Sequence, residues 1–501
     1  MNIWKRIRKS LTEKNIKQEE KDIIFPESKG IITLEALKKE LVDIDDIIIK
    51  DIMVGQEKAT LIFLKTMTNL EVFQETILNP LDNMTNGYED NKLKLAEKVE
   101  PDGLPELIYD ITRGYTVLFF QGDNKIIKVD TKKTPTRNIT APENETTVLG
   151  PSDAFTENLD QNIGLIRKRI ANSQLKVKNL ILGTETRNEV SVLYMGNIAN
   201  KENIDRVLYR LNNIEIQGIW GISTLKQILE DKPFSPIPQL GLTVRPDNVV
   251  SALLDGRIVI MLNNSPEAIT TPITFFEMFS STEDYYGRWP TITLLRLLRF
   301  GGFFLTITLT PLYISLLTYH PEMLPSPILK LLIESRMKVP FPPVIEVLII
   351  EVVIEVLREA GARMPTKIGQ TIGIVGGIVI GTAAVDAGLA SNILIVLVSL
   401  SALLSFLPPS FLMSNASRVI RYIFIIVSGF FGLYGQLLIL AWLMAHLANL
   451  TSLGTPLMAP VIPRTYSDLF DSVFRAPIYF LYKRKGMSRA KKQLIRPLDE
   501  E

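Results

Sequence analysis

Residues 341–390 read FPPVIEVLIIEVVIEVLREAGARMPTKIGQTIGIVGGIVIGTAAVDAGLA, and this stretch decides which class of fold the chain adopts. Its first half is an aliphatic segment that carries carboxylates at helical spacing. Its second half is an apolar segment in which glycine recurs at every fourth position. A soluble protein has little use for either pattern, and together they predict a multi-helix membrane assembly with a polar interior.

The carboxylates of the first half are Glu346, Glu351, Glu355 and Glu359. At about 100° per residue, the last three share one helix face with Arg358, while Glu346 points nearly the opposite way. An ionised carboxylate at mid-membrane costs at least ~2.5 kcal/mol, so we do not expect all of them to face lipid. Three interpretations compete: the helix lines a water-filled pathway, its carboxylates pair with arginines of which Arg358 and Arg363 are the nearest, or it lies at the interface with its carboxylates in water.

The glycines of the second half are Gly369, Gly373, Gly377 and Gly381. Residues spaced by four lie on one helix face, so these glycines form a smooth ridge that lets another helix approach closely inside lipid. Because they belong to an apolar helix, they do not form a phosphate-binding loop. Helix packing is therefore their predicted role.

Charge is distributed unevenly along the 501 residues. Charged side chains crowd residues 1–290 and the last thirty, which predicts a soluble head, a membrane body and a basic tail. The net charge of +1 gives no basic field, so we expect no nucleic-acid partner. The chain has no cysteine and two histidines, so we expect neither a metal site nor a cofactor. No apolar segment follows the basic first residues, so the head is expected to stay on the cytoplasmic side.

The predicted fold class is an α+β cytoplasmic head of two small subdomains, followed by an all-α multi-span membrane domain. The first subdomain covers 1–135 and the second 150–290, with a proline-containing linker between them. In the first, apolar runs at 116–121 and 125–131 flank a Gly-Asp-Asn turn and predict a β-hairpin. Short apolar runs at 48–53 and 60–65 are further strand candidates in a region that otherwise reads as mostly helical.

In the second subdomain, Asp153 or Ser152 is predicted to cap a helix that ends near residue 170 with a basic last turn. The pair Glu283-Asp284 is predicted to form a solvated or ion-paired entry to the first membrane helix. The sequence contains no phosphate-loop motif and no serine with a partner that would make it a nucleophile. We therefore assign no catalytic residue and expect that the protein is not an enzyme.

Residues 291–450 are predicted to form the membrane domain, with four to five spans and a re-entrant segment. The charge-free spans are 300–319, 368–385, 391–407 and 422–445, and the carboxylate-bearing helix adds a fifth if it crosses. The proline-rich stretch 320–341 contains an apolar run too short to cross, which favours a re-entrant or interfacial segment.

Residues 451–501 form a basic tail, and two signals disagree about its side of the membrane. With five crossings, the tail emerges on the side opposite to the head. Its lysines and arginines instead favour the cytoplasmic side, where anionic lipid attracts them.

These motifs carry a family resemblance. The stretch 341–390 resembles the A-subunit family of bacterial spore germinant receptors, the GerA type. Further segments that resemble this family are GPSDAFTENLDQNIGLIRKRI at 150–170, PFSPIPQLGLTVRPDNVVSALLDGRIVIMLNNSP at 233–266 and EDYYGRW at 283–289. A paralogue of the stage V sporulation protein AF type has a similar sequence plan and stays an alternative.

The resemblance implies a multi-pass protein of the spore inner membrane that acts beside a permease-like B subunit and a lipoprotein C subunit in nutrient sensing. It also implies a homo-oligomeric ring, surrounded by membrane lipid, whose helices form an ion-conducting pore that triggers germination. The candidate pore or gating residues are Glu346, Glu351, Glu355, Glu359 and Arg358. Rival interpretations are a non-conducting scaffold that organises receptor clusters, with its carboxylates ion-paired, and a secondary transporter.

Overall fold

The computed structural model of the chain describes residues 32–54, 57–82, 96–99, 103–120, 125–133, 145, 149–363, 377, 379, 381–463, 469–477, 484 and 486–492. Contacts divide the chain into two compact units. The first comprises residues 1–136 together with 167–175, and the second comprises residues 137–166 together with 176–501. The second unit contains both a sheet-rich part and a helical bundle.

The first unit is built on a five-stranded sheet with the order β1-β2-β4-β5-β3. Its elements are α1 (Leu34–Glu40), β1 (Ile47–Val54), β2 (Glu57–Leu64), α2 (Leu70–Phe73), α3 (Asn79–Asp82), β3 (Ala96–Lys98), α4 (Leu104–Thr112), β4 (Tyr115–Phe120) and β5 (Ile126–Asp130). The strand candidates at 48–53 and 60–65 and the predicted hairpin are confirmed, with antiparallel pairing in both cases. Alternating side chains bury one hydrophobic cluster on each face of this sheet.

The sheet-rich part of the second unit has the strand order β6-β7-β9-β10-β8. Its elements, together with the helix that precedes them, are α5 (Leu159–Arg169), β6 (Leu175–Leu182), β7 (Asn188–Met195), α6 (Lys201–Asn212), α7 (Ile222–Leu229), β8 (Gly241–Thr243), α8 (Pro246–Leu254), β9 (Ile258–Leu262) and β10 (Ala268–Thr271). Val192 and Ile260 of the sheet share a core cluster with Ile204 of α6 and Leu225 of α7.

Helix α5 begins later than the sequence predicts. The prediction that Asp153 or Ser152 caps it is wrong, because the chain before residue 159 is held in a non-helical form by other contacts. The Phe155 amide donates to the Val244 carbonyl (2.8 Å). Asn158 supplies the side-chain acceptor at the helix start, where it binds the Gln161 amide (3.0 Å).

The entry to the helical bundle is ion-paired, as predicted for Glu283-Asp284. Asp284 is buried and accepts hydrogen bonds from Arg296 Nε (2.7 Å) and Arg299 Nη1 (2.8 Å). Phe303 packs edge-on against Phe275, which precedes the bundle (5.8 Å between centroids). These contacts fix the first helix of the bundle to the sheet-rich part.

The bundle contains α9 (Trp289–Thr318), α10 (Ser326–Arg336), α11 (Pro343–Arg363), α12 (Asn392–Leu404) and α13 (Phe411–Ala448). Among the described residues, α9 and α13 are the helices long and apolar enough to cross a membrane. The predicted span 391–407 corresponds to α12, which has 13 residues and is therefore about 20 Å long, shorter than a hydrocarbon core of about 30 Å. Most of the predicted span 368–385 lies outside the described residues.

Helix α13 reverses direction at Gly432, which has φ 60° and ψ −145°, a backbone region that favours glycine. Before the reversal, the Gly429 carbonyl accepts a hydrogen bond from the Tyr319 hydroxyl at the end of α9 (2.8 Å). After it, the Gln436 side chain donates to the Thr308 carbonyl, well back along α9 (3.1 Å). The two halves of α13 therefore run in opposite directions beside α9, and the prediction of one last span in this region is wrong.

The C-terminal segment returns to the sheet-rich part of the second unit. It contains β11 (Thr451–Ser452), β12 (Thr455–Pro456) and α14 (Leu469–Ser472). Hydrogen bonds that hold it there run from the Gly454 amide to Asp231 (2.9 Å), from Arg484 Nε to the Leu254 carbonyl (2.7 Å) and from the Lys491 amide to the Ile198 carbonyl (2.8 Å). The tail thus lies on the same side as the second head subdomain. The sequence signals disagreed about the side of the tail, and these contacts agree with the signal from its lysines and arginines.

Candidate functional site

The candidate site lies where α11 packs against α9, α12 and α13. Helix α11 starts at Pro343, and proline suits a first turn because the amide there has no partner within the helix. Val347 and Ile350 enter the core of the bundle beside residues of the other helices. Since the carboxylates of α11 alternate with such aliphatic residues, packing carries several of them into the interior.

Glu346, near the start of α11, is fully buried. One of its oxygens accepts from Arg336 Nε at the end of α10 (2.9 Å), and the other accepts from the Ser391 amide just before α12 (2.7 Å). The Ser391 hydroxyl lies 3.1 Å from that of Tyr313 in α9. Glu346 therefore ties four helices together, and its predicted role in a pore stays a prediction.

Glu351 is fully buried one and a half turns further along α11 and faces Arg421 of α13. Arg421 Nη2 lies 2.8 Å from Glu351 Oε2, and the other carboxylate oxygen accepts a long hydrogen bond from Thr310 of α9 (3.3 Å). Arg421 Nη1 donates to Ser401 of α12 (2.9 Å). Among the described residues, Glu351 Oε2 and Arg421 Nε and Nη2 have no well-directed hydrogen bond. The two charges are therefore close without being firmly bonded.

Glu355 is partly buried and is shared by two arginines. Arg418 of α13 donates to one of its oxygens, and Arg358 Nη1 lies 3.7 Å from the other. Arg358 also donates to Ser405 (3.3 Å) and stacks over the Phe406 ring at 4.7 Å. This end of the site is open enough for Glu355 to keep about a third of its side-chain surface exposed.

Glu359 lies in the last turns of α11 and is exposed. Its partner is Arg363 of the same helix, with Nη2 2.6 Å from the carboxylate. An exposed pair of this kind contributes about 0–1 kcal/mol to stability. The carboxylates of α11 thus change from buried and bonded between helices at its start to solvent-facing at its end.

Sequence reasoning identified Arg358 and Arg363 as partners and missed the arginines on other helices. The missed partners are Arg336, Arg418 and Arg421. Arg418 and Arg421 were assigned to the edge of the last span, although an arginine within a long charge-free region is itself a signal for a buried carboxylate. Contacts between distant parts of the chain were needed to show which carboxylate each arginine meets.

We call the group formed by Glu351, Glu355, Arg358, Arg418 and Arg421 the arginine–carboxylate cluster. It holds two carboxylates against three guanidinium groups, so its formal charge is +1. In this arrangement, neither carboxylate is left without an arginine to face a cation. Conduction past these residues would therefore require the pairs to separate.

The glycine ridge is described in part. Gly369 and Gly373 lie outside the described residues. A Cβ atom placed on Gly377 or Gly381 would meet no described side chain or backbone atom of the chain within 4 Å. Their packing against a second helix stays a prediction.

Comparison with known proteins gives consistent similarities. The family model described as Bacillus/Clostridium GerA spore germination protein matches residues 35–487. Spore germination protein GerQA of Bacillus cereus is 37% identical over 473 residues, which cover 93% of this chain and 94% of that protein. Spore germination protein A1 of Bacillus subtilis (strain 168) is 37% identical over 81% of this chain and 84% of its own length. A crystal structure of the N-terminal domain of the A subunit of the Bacillus megaterium spore germinant receptor GerK3 matches 48% of this chain and 94% of that chain, with 22% identity and a TM-score of 0.36.

Proposed function

The chain belongs to the GerA family of spore germination proteins, and from that premise we propose that it is the A subunit of a nutrient germinant receptor in the spore inner membrane. In this proposal the bundle conducts ions when a partner binds nutrient. The chain acts as a homo-oligomer, with a permease-like B subunit and a lipoprotein C subunit, and it is not an enzyme. Its head is cytoplasmic.

The proposed topology has an even number of membrane passes. Helix α9 leaves the head, whereas α12 runs back, because Ser391 before it contacts Tyr313 and Ser401 within it donates to the Thr306 carbonyl. Helix α11 also runs back, since Glu346 bonds to Ser391 at the far end and Glu351 contacts Thr310 nearer the head. The two halves of α13 then run out and back beside α9.

Support for this topology comes from the position of the tail. Helix α9 runs away from the head and the second half of α13 runs back toward it, so the chain returns to the side from which α9 started. The basic tail therefore lies on the side of the head, where it contacts the turn after β7 and the first turn of α6. The same side is favoured for lysines and arginines near anionic lipid.

The observation that carries the proposed conduction is the loose bonding of the Glu351–Arg421 pair within the arginine–carboxylate cluster. A buried pair without well-directed hydrogen bonds does not recover the full cost of removing its charges from water. Such a pair separates more readily than a fully bonded one when α11 moves against α13. Separation would expose Glu351 and Glu355 to a pathway in which carboxylates favour cations.

The test is potassium release from spores that carry Glu355→Gln, with the amount of the protein in the membrane measured in parallel. The substitution keeps the shape of the side chain and removes its charge. We expect normal membrane levels with slowed or altered release. Glu359→Gln is the matched control, because Glu359 is exposed and pairs within its own helix. If Glu355→Gln lowers membrane levels, Glu355→Asp retains the charge and provides the second variant.

A structural scaffold is the second candidate, and it is favoured by one observation. Each carboxylate of α11 contacts at least one arginine, as expected if the charges serve only to hold the bundle together. Normal membrane levels with normal potassium release in Glu355→Gln spores would contradict the conduction proposal and favour the scaffold.

A further inference from the structure

A fully exposed phenylalanine, Phe234, stands at the tip of the loop between α7 and β8. The loop reads DKPFSPIP over residues 231–238. Moving a phenylalanine side chain from water into an apolar environment is worth roughly 1.5–3 kcal/mol. Single exposed apolar side chains are common on protein surfaces, so the surroundings of Phe234 decide what its exposure means.

The loop holds Phe234 in a fixed position. Its Lys232 amide donates to Gln239 Oε1 (2.9 Å), and Gln239 Nε2 donates back to the Lys232 carbonyl (2.7 Å). The Ser235 amide donates to the Lys232 carbonyl (3.1 Å), and its hydroxyl accepts from the Ile237 amide (3.2 Å). These hydrogen bonds fix the backbone on both sides of Phe234, so its side chain is held in an exposed position.

The same loop is fastened to the end of α13. Ser235 Oγ lies 2.9 Å from His446 Nε2, and Lys232 Nζ donates to the Asn449 carbonyl (3.0 Å). The His446 ring stacks on Trp442, with 5.3 Å between centroids and 6° between planes. Trp442 is itself half exposed on the outside of the bundle. These contacts place Phe234 at the level where the apolar bundle meets the head.

The loop also borders the beginning of α13. Ser235 and Pro236 line a shallow cavity together with Leu412 and Val419. Phe411, at the first position of α13, is largely exposed, and so is Val419. The same cavity is also lined by Lys226, Glu230 and Asn415, so apolar and polar side chains are mixed where the loop meets this part of the bundle.

We propose that the Phe234 loop inserts into the interfacial layer of the lipid bilayer and anchors the second head subdomain to the membrane surface. Tryptophan and tyrosine are enriched at this depth because their rings are amphipathic, and Trp442 lies beside the residue that fastens the loop. The Phe234 ring adds apolar surface at the same level. Lys232 and His446 lie beside the loop at the polar boundary. This inference rests on the proposed placement of the bundle in a membrane.

The absence of cysteine from the chain allows a direct test. Phe234→Cys, labelled with an environment-sensitive fluorophore, is reconstituted as the full chain into vesicles of phosphatidylcholine and phosphatidylglycerol. We expect its emission to be lost to lipids that carry a quencher close to the headgroup. Lipids with a quencher deep in the acyl chain, and iodide in the water, are expected to have much less effect.

Two matched variants provide reference quenching for a position in the lipid core and for a position in water. Leu438→Cys lies on the exposed face of the second half of α13 and should be quenched best by the deep lipid quencher. Ile181→Cys is exposed on β6, at the opposite edge of the sheet from β8, and should be quenched by iodide alone.

Three outcomes would overturn the proposal. Quenching of the residue 234 probe by iodide, as at residue 181, would place the loop in water. Protection from both iodide and lipid quenchers would mean that a protein surface, such as a second copy of the chain, covers it. Failure of the residue 438 probe to respond to lipid quenchers would overturn the membrane placement of the bundle, and the proposed anchor with it. If lipid quenchers act on the residue 438 probe but not on the residue 234 probe, only the anchor is overturned and the proposed topology stands.

Discussion

Arg167 in the first unit and Arg421 in the helical bundle are both fully buried, and each faces a buried carboxylate. Arg167 meets Asp46 through two directed hydrogen bonds, from Nε (2.7 Å) and from Nη2 (2.5 Å). Thr66 donates a third hydrogen bond to the same carboxylate (2.7 Å). Arg421 lies at a similar distance from Glu351 but has no directed hydrogen bond to it among the described residues.

This difference implies that the Asp46–Arg167 pair keeps one geometry. The Glu351–Arg421 pair, in contrast, can exist both closed and separated. Removing a charge from water is repaid only when the geometry is good and the remaining polar atoms are bonded. The Asp46–Arg167 pair meets the geometric part of this condition, although Arg167 Nη1 has no hydrogen-bond partner among the described residues, so separating its members would lose two directed hydrogen bonds to Asp46. The Glu351–Arg421 pair forfeits less when it opens, which is the property that a gate requires.

The largest expected effect is in the first unit. Arg167→Met leaves the Asp46 carboxylate buried without its cation, and we expect the free energy of unfolding to fall by about 3–5 kcal/mol. Thermal unfolding of the purified full chain in detergent measures this loss. The double variant with Asp46→Leu should recover most of it, because an apolar pair of similar volume has no charge to desolvate.

Lys168→Met is the matched control for that prediction. Lys168 is the next residue along α5 and is exposed, so its replacement should change stability by no more than about 0.5 kcal/mol. A similarly small loss of stability for Arg167→Met would contradict the prediction that the Asp46–Arg167 pair stabilises the first unit.

An intermediate effect is expected from double-mutant cycles on the two pairs. For Asp46→Asn with Arg167→Gln, we expect a coupling energy near the upper end of the usual range, about 3 kcal/mol. For Glu351→Gln with Arg421→Gln, we expect about 1 kcal/mol, because the contact lacks directed hydrogen bonds. Both cycles are measured by unfolding under the same detergent conditions.

A coupling energy for Glu351–Arg421 as large as that for Asp46–Arg167 would remove the distinction between the two pairs. It would also remove the physical basis for gating at this position. The scaffold would then account better for the carboxylates of α11.

Local patterns in the sequence predicted much of the fold. The hairpin β4–β5 and the strands β1 and β2 follow from short apolar runs and from turn residues, which act over a few positions. The predicted start of α5 was wrong. In the local sequence Ser152 and Asp153 are equally good caps, whereas the observed cap, Asn158, depends on the hydrogen bond between Phe155 and Val244, which is distant in sequence.

The reversal at Gly432 could not be predicted from the sequence for a different reason. A glycine within a long apolar run usually serves helix packing, and nothing polar marks the turn. The turn depends on Tyr319, whose ring lies against the position where a Cβ of residue 432 would be. The partners of Glu351 and Glu355 were missed likewise, since Arg418 and Arg421 come together with them only in the folded bundle.

A pH-dependent effect is expected from Glu145, a head carboxylate whose side chain has no hydrogen bond to an arginine among the described residues. Burial raises the pKa of Glu145 to about 7, against the opposing hydrogen bond from Thr243 (2.8 Å) and the positive charge of Arg245. Asp247, which pairs with Arg245, adds a further negative charge that favours the protonated form. We therefore expect Glu145 to retain its proton at mildly acidic pH in the folded chain.

The sign of the resulting pH dependence follows from this raised pKa. Between pH 4.5 and about 7 the folded chain binds a proton at Glu145 that the unfolded chain releases, so this group's contribution to stability falls as pH rises. The slope is about 1.4 kcal/mol for each pH unit within that window and vanishes above it. Unfolding of the wild-type chain and of Glu145→Gln across this range isolates the contribution. Glu157→Gln, at an exposed position of the same unit, should leave the profile unchanged. If Glu145→Gln also leaves the pH profile of stability unchanged, the prediction is contradicted. The Glu145 carboxylate would then be ionised in the folded chain, as expected for a carboxylate that is stabilised by a cation in the way that Asp46 is.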